Sequence, residues 1–182
     1  MIVKWNEHSF PLEAGKLVYL YGPNGIGKTT LVENLVAHKE QIFPTNWVIS
    51  YLFQTPLLPL GDRRPIDLIQ GIKKRPKVTI HPILEEIISH PNKMAYRSVR
   101  LLSGGENQWL KIGLLLSLDA ELYIWDEPTN FLDITKKKRL SFILKEIIQQ
   151  KRFIIIEHDE DFVHSIGSKD NISLELIGSR NS

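Results

Sequence analysis

The 182-residue chain contains no cysteine, which excludes disulfide bonds and thiolate metal sites and is compatible with a cytosolic location. It also lacks any apolar run close to the roughly 20 residues that a membrane-spanning helix needs. The N-terminal segment MIVKWNEHSF contains no cleavable apolar region. We therefore expect that this chain does not cross a membrane by itself.

The chain also has no large excess of positive or negative charge, since its formal net charge is only +2. A balance so close to zero argues against a strongly electrostatic partner such as bulk nucleic acid. No internal repeat or low-complexity tract is visible. The length fits one domain with a full core, or one core that carries a small subdomain.

A glycine-rich stretch, GPNGIGKTT at residues 22–30, is the most informative feature present. The preceding KLVYLY is typical of a short buried strand, and the following LVENLVAHKE is typical of a helix. The stretch matches the P-loop pattern GxxxxGK[ST] in full. In that pattern backbone N–H groups and Lys28 bind phosphates, while the hydroxyl of Thr29 binds Mg²⁺. The sequence therefore predicts a phosphate site.

Apolar strands alternate with helices along the chain, which predicts a mostly parallel sheet covered on both faces. Strands are predicted at residues 1–5, 17–21, 46–53, 121–127, 152–158 and 171–177. The first two are expected to be joined through the turn signal EAG. Helices are predicted from about residue 28, after LLSGGENQ to about 117, and over 134–150 and 159–166. Six prolines between residues 55 and 91 separate two short predicted helices, IDLIQGIKK and ILEEIISH. They indicate a small helical insertion over about residues 55–117.

Three chemical features fall just past predicted strand ends: the P-loop, the pair Asp126 and Glu127, and His158. Ligands of such sheets bind outside the carboxyl ends of the strands. In P-loop enzymes an Asp in this position holds Mg²⁺, and a carboxylate beside it can orient or deprotonate the attacking water. The alternative is an acidic surface turn and a structural histidine.

Two other segments have a functional and a structural interpretation. LLSGGENQ places Ser103 and two glycines before a helix, which suits either anion binding or an N-cap with a glycine hinge. Gln54 ends a strand, and it is either functional or simply the first polar residue of a loop.

Taken together, GPNGIGKTT, Gln54, LSGGE, YIWDEP, NFLD and His158 resemble, in this order, the ATP-binding cassette (ABC) ATPase domain. The resemblance extends from about residue 15 to 158. It implies one α/β domain over residues 1–182 with a P-loop NTPase core and an inserted helical subdomain. It also implies a head-to-tail dimer of cassettes, homo- or heteromeric, with two ATP molecules between the subunits.

The resemblance further implies a role for each matching residue. Glu127 would be the general base, His158 would bridge the γ-phosphate and the catalytic site, and Asp133 would couple the two sites across the dimer. The catalytic set would be Glu127, His158, Lys28 and Gln54. The phosphates would be held by Gly22, Pro23, Asn24, Gly25, Ile26, Gly27, Lys28, Thr29 and Thr30. Mg²⁺ would be arranged by Thr29, Gln54 and Asp126. The partner's ATP would be contacted in trans by Ser103, Gly104 and Gly105.

The sequence departs from the family pattern upstream of the P-loop, in the helix after LSGGE and in the helix after NFLD. Trp5 lies only 23 positions before Lys28, which is too close for an adenine-stacking aromatic residue, so we expect Trp5 in the core and adenine weakly held. The missing upstream strand predicts a trimmed antiparallel sheet. Trp109 is expected to pack in the core, the alternative being a contact with a partner. The basic run at 136–139 is expected to be solvated helix surface, the alternative being a contact with membrane headgroups or RNA.

The leading hypothesis is the ATPase subunit of a transporter, peripheral on the cytoplasmic face of a membrane. Its membrane-spanning permease would be a separate protein, docked in a groove formed by Gln54 and the helical insertion. One alternative is a non-transport cassette acting on ribosomes or nucleic acid, because DEPTNFLD resembles the motif of translation-associated cassettes. Another is a degenerate regulatory cassette. For the leading hypothesis we expect no direct contact with nucleic acid.

Overall fold

The computed structural model describes residues 1–5, 8–53, 62–167 and 172–175. The strands are β1 (Ile2–Trp5), β2 (His8–Pro11), β3 (Leu17–Tyr21), β4 (Ile49–Leu52), β5 (Leu122–Asp126), β6 (Arg152–Ile156) and β7 (Ile172–Glu175). The helices are α1 (Lys28–Ala37), α2 (Lys39–Ile42), α3 (Pro65–Lys73), α4 (Pro82–Ser89), α5 (Gly104–Leu116), α6 (Ile134–Ile148) and α7 (Glu160–Ile166). Two 3₁₀ turns, Met94–Tyr96 and Val99–Leu101, precede α5.

The central sheet has the strand order β4–β5–β6–β3–β7, with every neighbouring pair parallel. All five residues of β5 are buried, as expected for a central strand of a parallel sheet with both faces covered. Leu122 and Ile124 belong to the cluster that contains α1, whereas Tyr123 and Trp125 belong to the cluster that contains α6. The predicted mostly parallel α/β core is thus confirmed.

The helical insertion packs on the same apolar core as the sheet. Each of α3 and α4 begins with a proline at its first position, where the missing N–H costs nothing. A Cβ added to Gly113 would lie 2.6 Å from Leu84 Cδ2 and 2.8 Å from Ile83 Cγ2, so α4 and α5 pack unusually closely. Because the core cluster runs from these helices to Trp125, one continuous core joins the insertion to the sheet.

The N-terminal segment differs from the prediction. β1 pairs antiparallel with β2, with Val3 opposite Phe10, and neither strand joins the five-stranded sheet. The EAG turn therefore links β2 to β3, and the predicted direct connection of strands 1–5 and 17–21 is wrong. The short β2 was missed because HSFP contains a proline. β4 begins at Ile49 rather than residue 46, and helix α2 was not predicted.

Candidate active site

The glycine-rich loop leads from the end of β3 into α1, which begins at Lys28. Gly25 and Gly27 have φ angles of 78° and 102°, in the left-handed region that favours glycine. A Cβ built on either residue would have no neighbouring heavy atom within 4 Å, so both border open space. An exposed glycine loop before a helix N-terminus is the arrangement that binds phosphate.

The Lys28 side chain folds back along this loop and is only 6% exposed. Its Nζ donates hydrogen bonds to the carbonyl oxygens of Gly22, at 2.7 Å, and Pro23, at 3.0 Å. An ammonium has three donors, so the side chain can bind a phosphate oxygen while the loop holds it in place. Asn24 and Thr30 are exposed beside it, and Ile26 packs on the core.

Thr29 and Asp126 meet where α1 approaches the end of β5. The Thr29 hydroxyl donates to Asp126 Oδ2 at 2.7 Å, and Asp126 is 1% exposed. Burial raises the pKa of Asp126, although the Thr29 hydrogen bond and the charge of Lys28 act in the opposite direction.

This pair fits Mg²⁺, which prefers oxygen ligands and at phosphate sites takes one or two protein oxygens together with phosphate and water. The described residues contain no group of three or more His, Asp or Glu side chains that could hold a metal alone. Gln54, the other predicted metal ligand and catalytic residue, lies outside the described residues.

Glu127 follows Asp126 directly, and its carboxylate faces the loop after β6. His158 Nε2 lies 3.4 Å from Glu127 Oε1, and Asn130 Nδ2 donates to Glu127 Oε2 at 3.3 Å. The Glu127 backbone has φ 49°, an uncommon value for a residue with a side chain, and such conformations cluster at functional sites. The structure therefore brings Glu127 and His158 together.

The loop that carries Glu127 is held by side chains which the sequence analysis missed. Gln108 Nε2 of α5 donates to the carbonyl oxygen of Pro128 at 3.2 Å. The buried carboxylate of Glu157 accepts from the N–H of Thr129 at 3.2 Å. A carboxylate directly after the apolar run FIII was the available signal for Glu157, whereas Gln108 gave none.

The predicted trans residues begin helix α5. Ser103 is its N-cap, because Ser103 Oγ accepts from the Glu106 N–H at 3.2 Å and Glu106 Oε2 accepts from the Ser103 N–H at 2.8 Å. A Cβ on Gly104 would lie 3.1 Å from the Phe131 ring, and one on Gly105 only 2.6 Å from the Phe131 carbonyl oxygen. The N-cap interpretation is confirmed, and a role in trans stays a prediction.

Asp133, Trp109 and most of the basic run at 136–139 have contacts within the chain. Asp133 caps α6 by accepting from the Lys136 N–H at 2.8 Å, and Trp109 is buried. Three of the four basic side chains in the run 136–139 form ion pairs within the chain: Lys136 with Asp133, Lys137 with Asp159, and Arg139 with Glu86. The Trp5 backbone lies in β1, but its side chain is outside the described part of the chain.

Comparison with known proteins decides the family. A family model described as ABC transporter matches residues 5–130. The chain belongs to this family. That membership confirms the prediction of an ABC-type ATPase domain, and nucleotide binding is implied by it.

Two relatives and one solved structure illustrate the similarity. An uncharacterized ABC transporter ATP-binding protein of Methanocaldococcus jannaschii is 35% identical over 156 residues, covering 80% of this chain and 25% of the relative. The erythromycin resistance ATP-binding protein MsrA of Staphylococcus epidermidis is 32% identical over 163 residues, covering 88% of this chain and 32% of the relative. This ABC domain therefore spans a quarter to a third of these relatives' lengths. The dimeric structure of a bacterial ABC transporter cassette superposes with a TM-score of 0.66 at 20% identity. The match covers 95% of this chain and 87% of that cassette, and it supports the fold alone.

Proposed function

We propose that this ABC chain hydrolyses ATP to ADP and phosphate with Mg²⁺, as one subunit of a head-to-tail dimer of cassettes. The observation that carries the proposal is the 2.7 Å contact between Thr29 and Asp126, with Glu127 and His158 beside it. These side chains come from α1, the end of β5 and the loops after β5 and β6, and they converge at the carboxyl end of the sheet. Side chains placed together in this way can contact a triphosphate, its metal ion and an attacking water.

The chemistry assigns one task to each group. Lys28 and the loop amides bind the β- and γ-phosphates, and Thr29 with Asp126 would hold Mg²⁺. Bound Mg²⁺ would offset the negative charge on the phosphate oxygens. Glu127 accepts a proton from the water whose oxygen forms the new bond to the γ-phosphorus, while the bond to the β–γ bridging oxygen breaks. His158, close to Glu127, orients that carboxylate and contacts the γ-phosphate.

A second cassette is proposed as the partner that completes each site. Ser103, Gly104 and Gly105 would close on the ATP held by the other subunit's P-loop. Two exposed apolar side chains lie next to this segment: Leu101, two residues before Ser103, and Phe131, beside Gly104, are each more than 60% exposed. Exposed apolar groups that cluster in this way are typical of an interaction surface. Asp133, next to Ile134, would couple the two sites.

Transport coupling is the proposed use of the hydrolysis. Support comes from the family and from the M. jannaschii relative, both named for ABC transporters. No helix in the four described ranges is long and apolar enough to cross a membrane. We propose that a separate permease recruits the chain to the cytoplasmic face of a membrane. Co-purification of the tagged protein with an integral membrane protein from detergent extracts tests this step.

A second candidate is a cassette that acts on ribosomes or nucleic acid. It is favoured by DEPTNFLD at residues 126–133, which resembles the motif of translation-associated cassettes. The relative MsrA is named for erythromycin resistance rather than for transport. The basic run at 136–139 gives it little support, because three of those four charges are paired within the chain. Co-sedimentation of the tagged protein with ribosomes in a sucrose gradient, at physiological salt, would favour this candidate.

The hydrolysis itself is tested by phosphate release from purified wild type and Lys28→Ala with Mg-ATP. We expect turnover in the wild type, and loss of turnover with weakened ATP binding in the variant. Lys138→Ala, which removes an exposed lysine on α6, is the matched control and should behave as wild type. Turnover of Lys28→Ala near the wild-type rate would contradict the P-loop assignment.

A further inference from the structure

Glu157 is a buried carboxylate for which the reaction proposed above has no role. It follows the last residue of β6 and is 4% exposed. Its Oε1 accepts hydrogen bonds from the N–H groups of His158, at 2.9 Å, and Asp159, at 3.3 Å. Its Oε2 accepts from the N–H of Thr129 at 3.2 Å. One side chain therefore binds the backbone of two separate loops.

The two loops are those that carry Glu127 and His158. Thr129 lies two residues after Glu127 in the loop that follows β5, and it is 4% exposed. His158 and Asp159 come directly after Glu157 in the loop that follows β6. The Glu157 side chain accepts three backbone hydrogen bonds, and its burial removes water that would compete for them. The contact is therefore a firm connection between the loops.

Glu127 has a strained backbone that needs such support. Its φ angle of 49° is held on one side by its own N–H, which donates to the Ile156 carbonyl oxygen at 2.8 Å. Gln108 binds the carbonyl oxygen of Pro128 on another side. The Glu157 carboxylate adds a third contact through the Thr129 N–H, and it also binds the N–H groups of His158 and Asp159 in the other loop. Glu127 Oε1 and His158 Nε2, on the two backbones that Glu157 contacts, are 3.4 Å apart.

We propose that Glu157 is a positioning residue which sets the relative placement of Glu127 and His158 for the attack of water on ATP. This role rests on the proposed hydrolysis. Glu157 itself does not touch the reacting atoms. It acts by bridging the Thr129 amide to the amides of His158 and Asp159.

Glu157→Gln is the informative variant because it keeps the size and shape of the side chain. A glutamine has one acceptor oxygen and an NH₂ group that can only donate. Whichever way the amide is turned, either the Thr129 N–H or the His158 and Asp159 N–H groups then face a donor. Glu160→Gln makes the same chemical change at an exposed position three residues away, and it is the matched control.

Hydrogen exchange of the backbone amides tests the Glu157 bridge without requiring ATP hydrolysis. In the wild type we expect the amides of Thr129, His158 and Asp159 to be protected. In Glu157→Gln, at least one of the two loops should exchange about tenfold faster or more, whereas Glu160→Gln should match the wild type. Unchanged exchange at all three amides in Glu157→Gln would overturn the bridge and with it the proposal.

Steady-state kinetics then test whether Glu157 positions Glu127 and His158 for hydrolysis. We expect kcat of Glu157→Gln to fall about 10- to 100-fold, because a small misplacement of catalytic groups has effects of this size. KM for ATP should stay within about threefold, since Lys28 and Thr29 keep their contacts, and one ATP should still bind per P-loop. A kcat within twofold of wild type, or a fall in kcat matched by an equal loss of ATP-binding stoichiometry, overturns the positioning role. If the wild type itself releases no phosphate, the proposed function fails and the positioning role fails with it, whereas the exchange data still decide the bridge.

Discussion

His158 Nε2 lies 3.4 Å from Glu127 Oε1, although the two residues follow different strands. Their strands, β6 and β5, are neighbours in the parallel sheet, with Ile156 opposite Asp126. The residues just past both strand ends therefore emerge side by side. Asn130 donates to the other oxygen of the Glu127 carboxylate at 3.3 Å, so that carboxylate is oriented by a contact at each oxygen. The predictions below test what this arrangement does.

The first prediction concerns the base. Glu127→Gln keeps the shape of the side chain but removes the proton acceptor, so kcat should fall at least about 100-fold. Mg-ATP binding should persist, because Lys28, Thr29 and Asp126 are unchanged. The variant should then accumulate as an ATP-bound dimer, which light scattering after gel filtration measures. Glu146→Gln, at an exposed position on α6, should leave both quantities unchanged.

Only monomer in the presence of Mg-ATP would contradict the proposed dimer. Retained hydrolysis in Glu127→Gln would remove Glu127 from the role of base.

The second prediction concerns the composite site. Ser103→Arg should leave ATP binding to the subunit's own P-loop intact but block hydrolysis, because it places a bulky cation where the partner's phosphates close in. Lys28→Ala inactivates the other half of the site. When the two inactive variants are mixed and exchange subunits, one of the two sites in each heterodimer carries neither lesion. Some phosphate release should therefore return.

Heterodimers that form yet stay inactive would mean that the two sites are strictly coupled. Loss of ATP binding by monomeric Ser103→Arg would contradict the head-to-tail arrangement itself.

The third prediction concerns stability and pH. Burial raises the pKa of Asp126, so its ionised form is disfavoured in the folded protein. Asp126 therefore lowers the free energy of unfolding at high pH. This loss is absent below the unfolded pKa of about 3.9, grows as the pH rises towards the folded pKa, and is complete above it. Without nucleotide, Asp126→Asn should therefore have a higher Tm than wild type at pH 7, and the difference should shrink towards pH 4. Thermal unfolding followed by circular dichroism measures it.

Mg-ATP should reverse the order, because it stabilises only a protein that can hold the metal. Asp62→Asn, at an exposed carboxylate, is the control and should change Tm little at either pH. A lower Tm of nucleotide-free Asp126→Asn at pH 7 would contradict the pKa argument.

The fourth prediction concerns Gly105. An added Cβ would lie 2.6 Å from the Phe131 carbonyl oxygen, a backbone atom that cannot move without shifting the loop. Gly105→Ala should lower the free energy of unfolding by about 1–3 kcal/mol. It should also reduce hydrolysis, because Glu127 lies in the same loop. Chemical denaturation and phosphate release measure the two effects.

Gly71 offers the matched control. It lies inside α3, and a Cβ there would have no neighbouring heavy atom within 4 Å. Gly71→Ala should therefore stabilise the protein by about 0.5–1 kcal/mol, as alanine does relative to glycine in a helix. Equal effects at Gly71 and Gly105 would mean that the contact with Phe131 does not matter.

Much of the fold was predictable because its signals are local. The apolar runs of β5 and β6, the helix over residues 134–148 and the proline-led helices α3 and α4 follow from periodicity and helix-start signals. The N-terminal hairpin was not predictable in this way. Its short β2 contains Pro11, and its pairing with β1 depends on contacts between strands rather than on local composition.

Spacing along the chain was enough to recognise the family and the motifs that contain Lys28, Asp126, Glu127 and His158. Which of these side chains meet depends on how the strands and helices pack. The packing sets Thr29 against Asp126 and Glu127 against His158, and the tertiary structure revealed Gln108 and Glu157, whose partners are backbone groups of distant loops. A backbone N–H or carbonyl is identical at nearly every position, so no sequence pattern marks which one a buried side chain will bind.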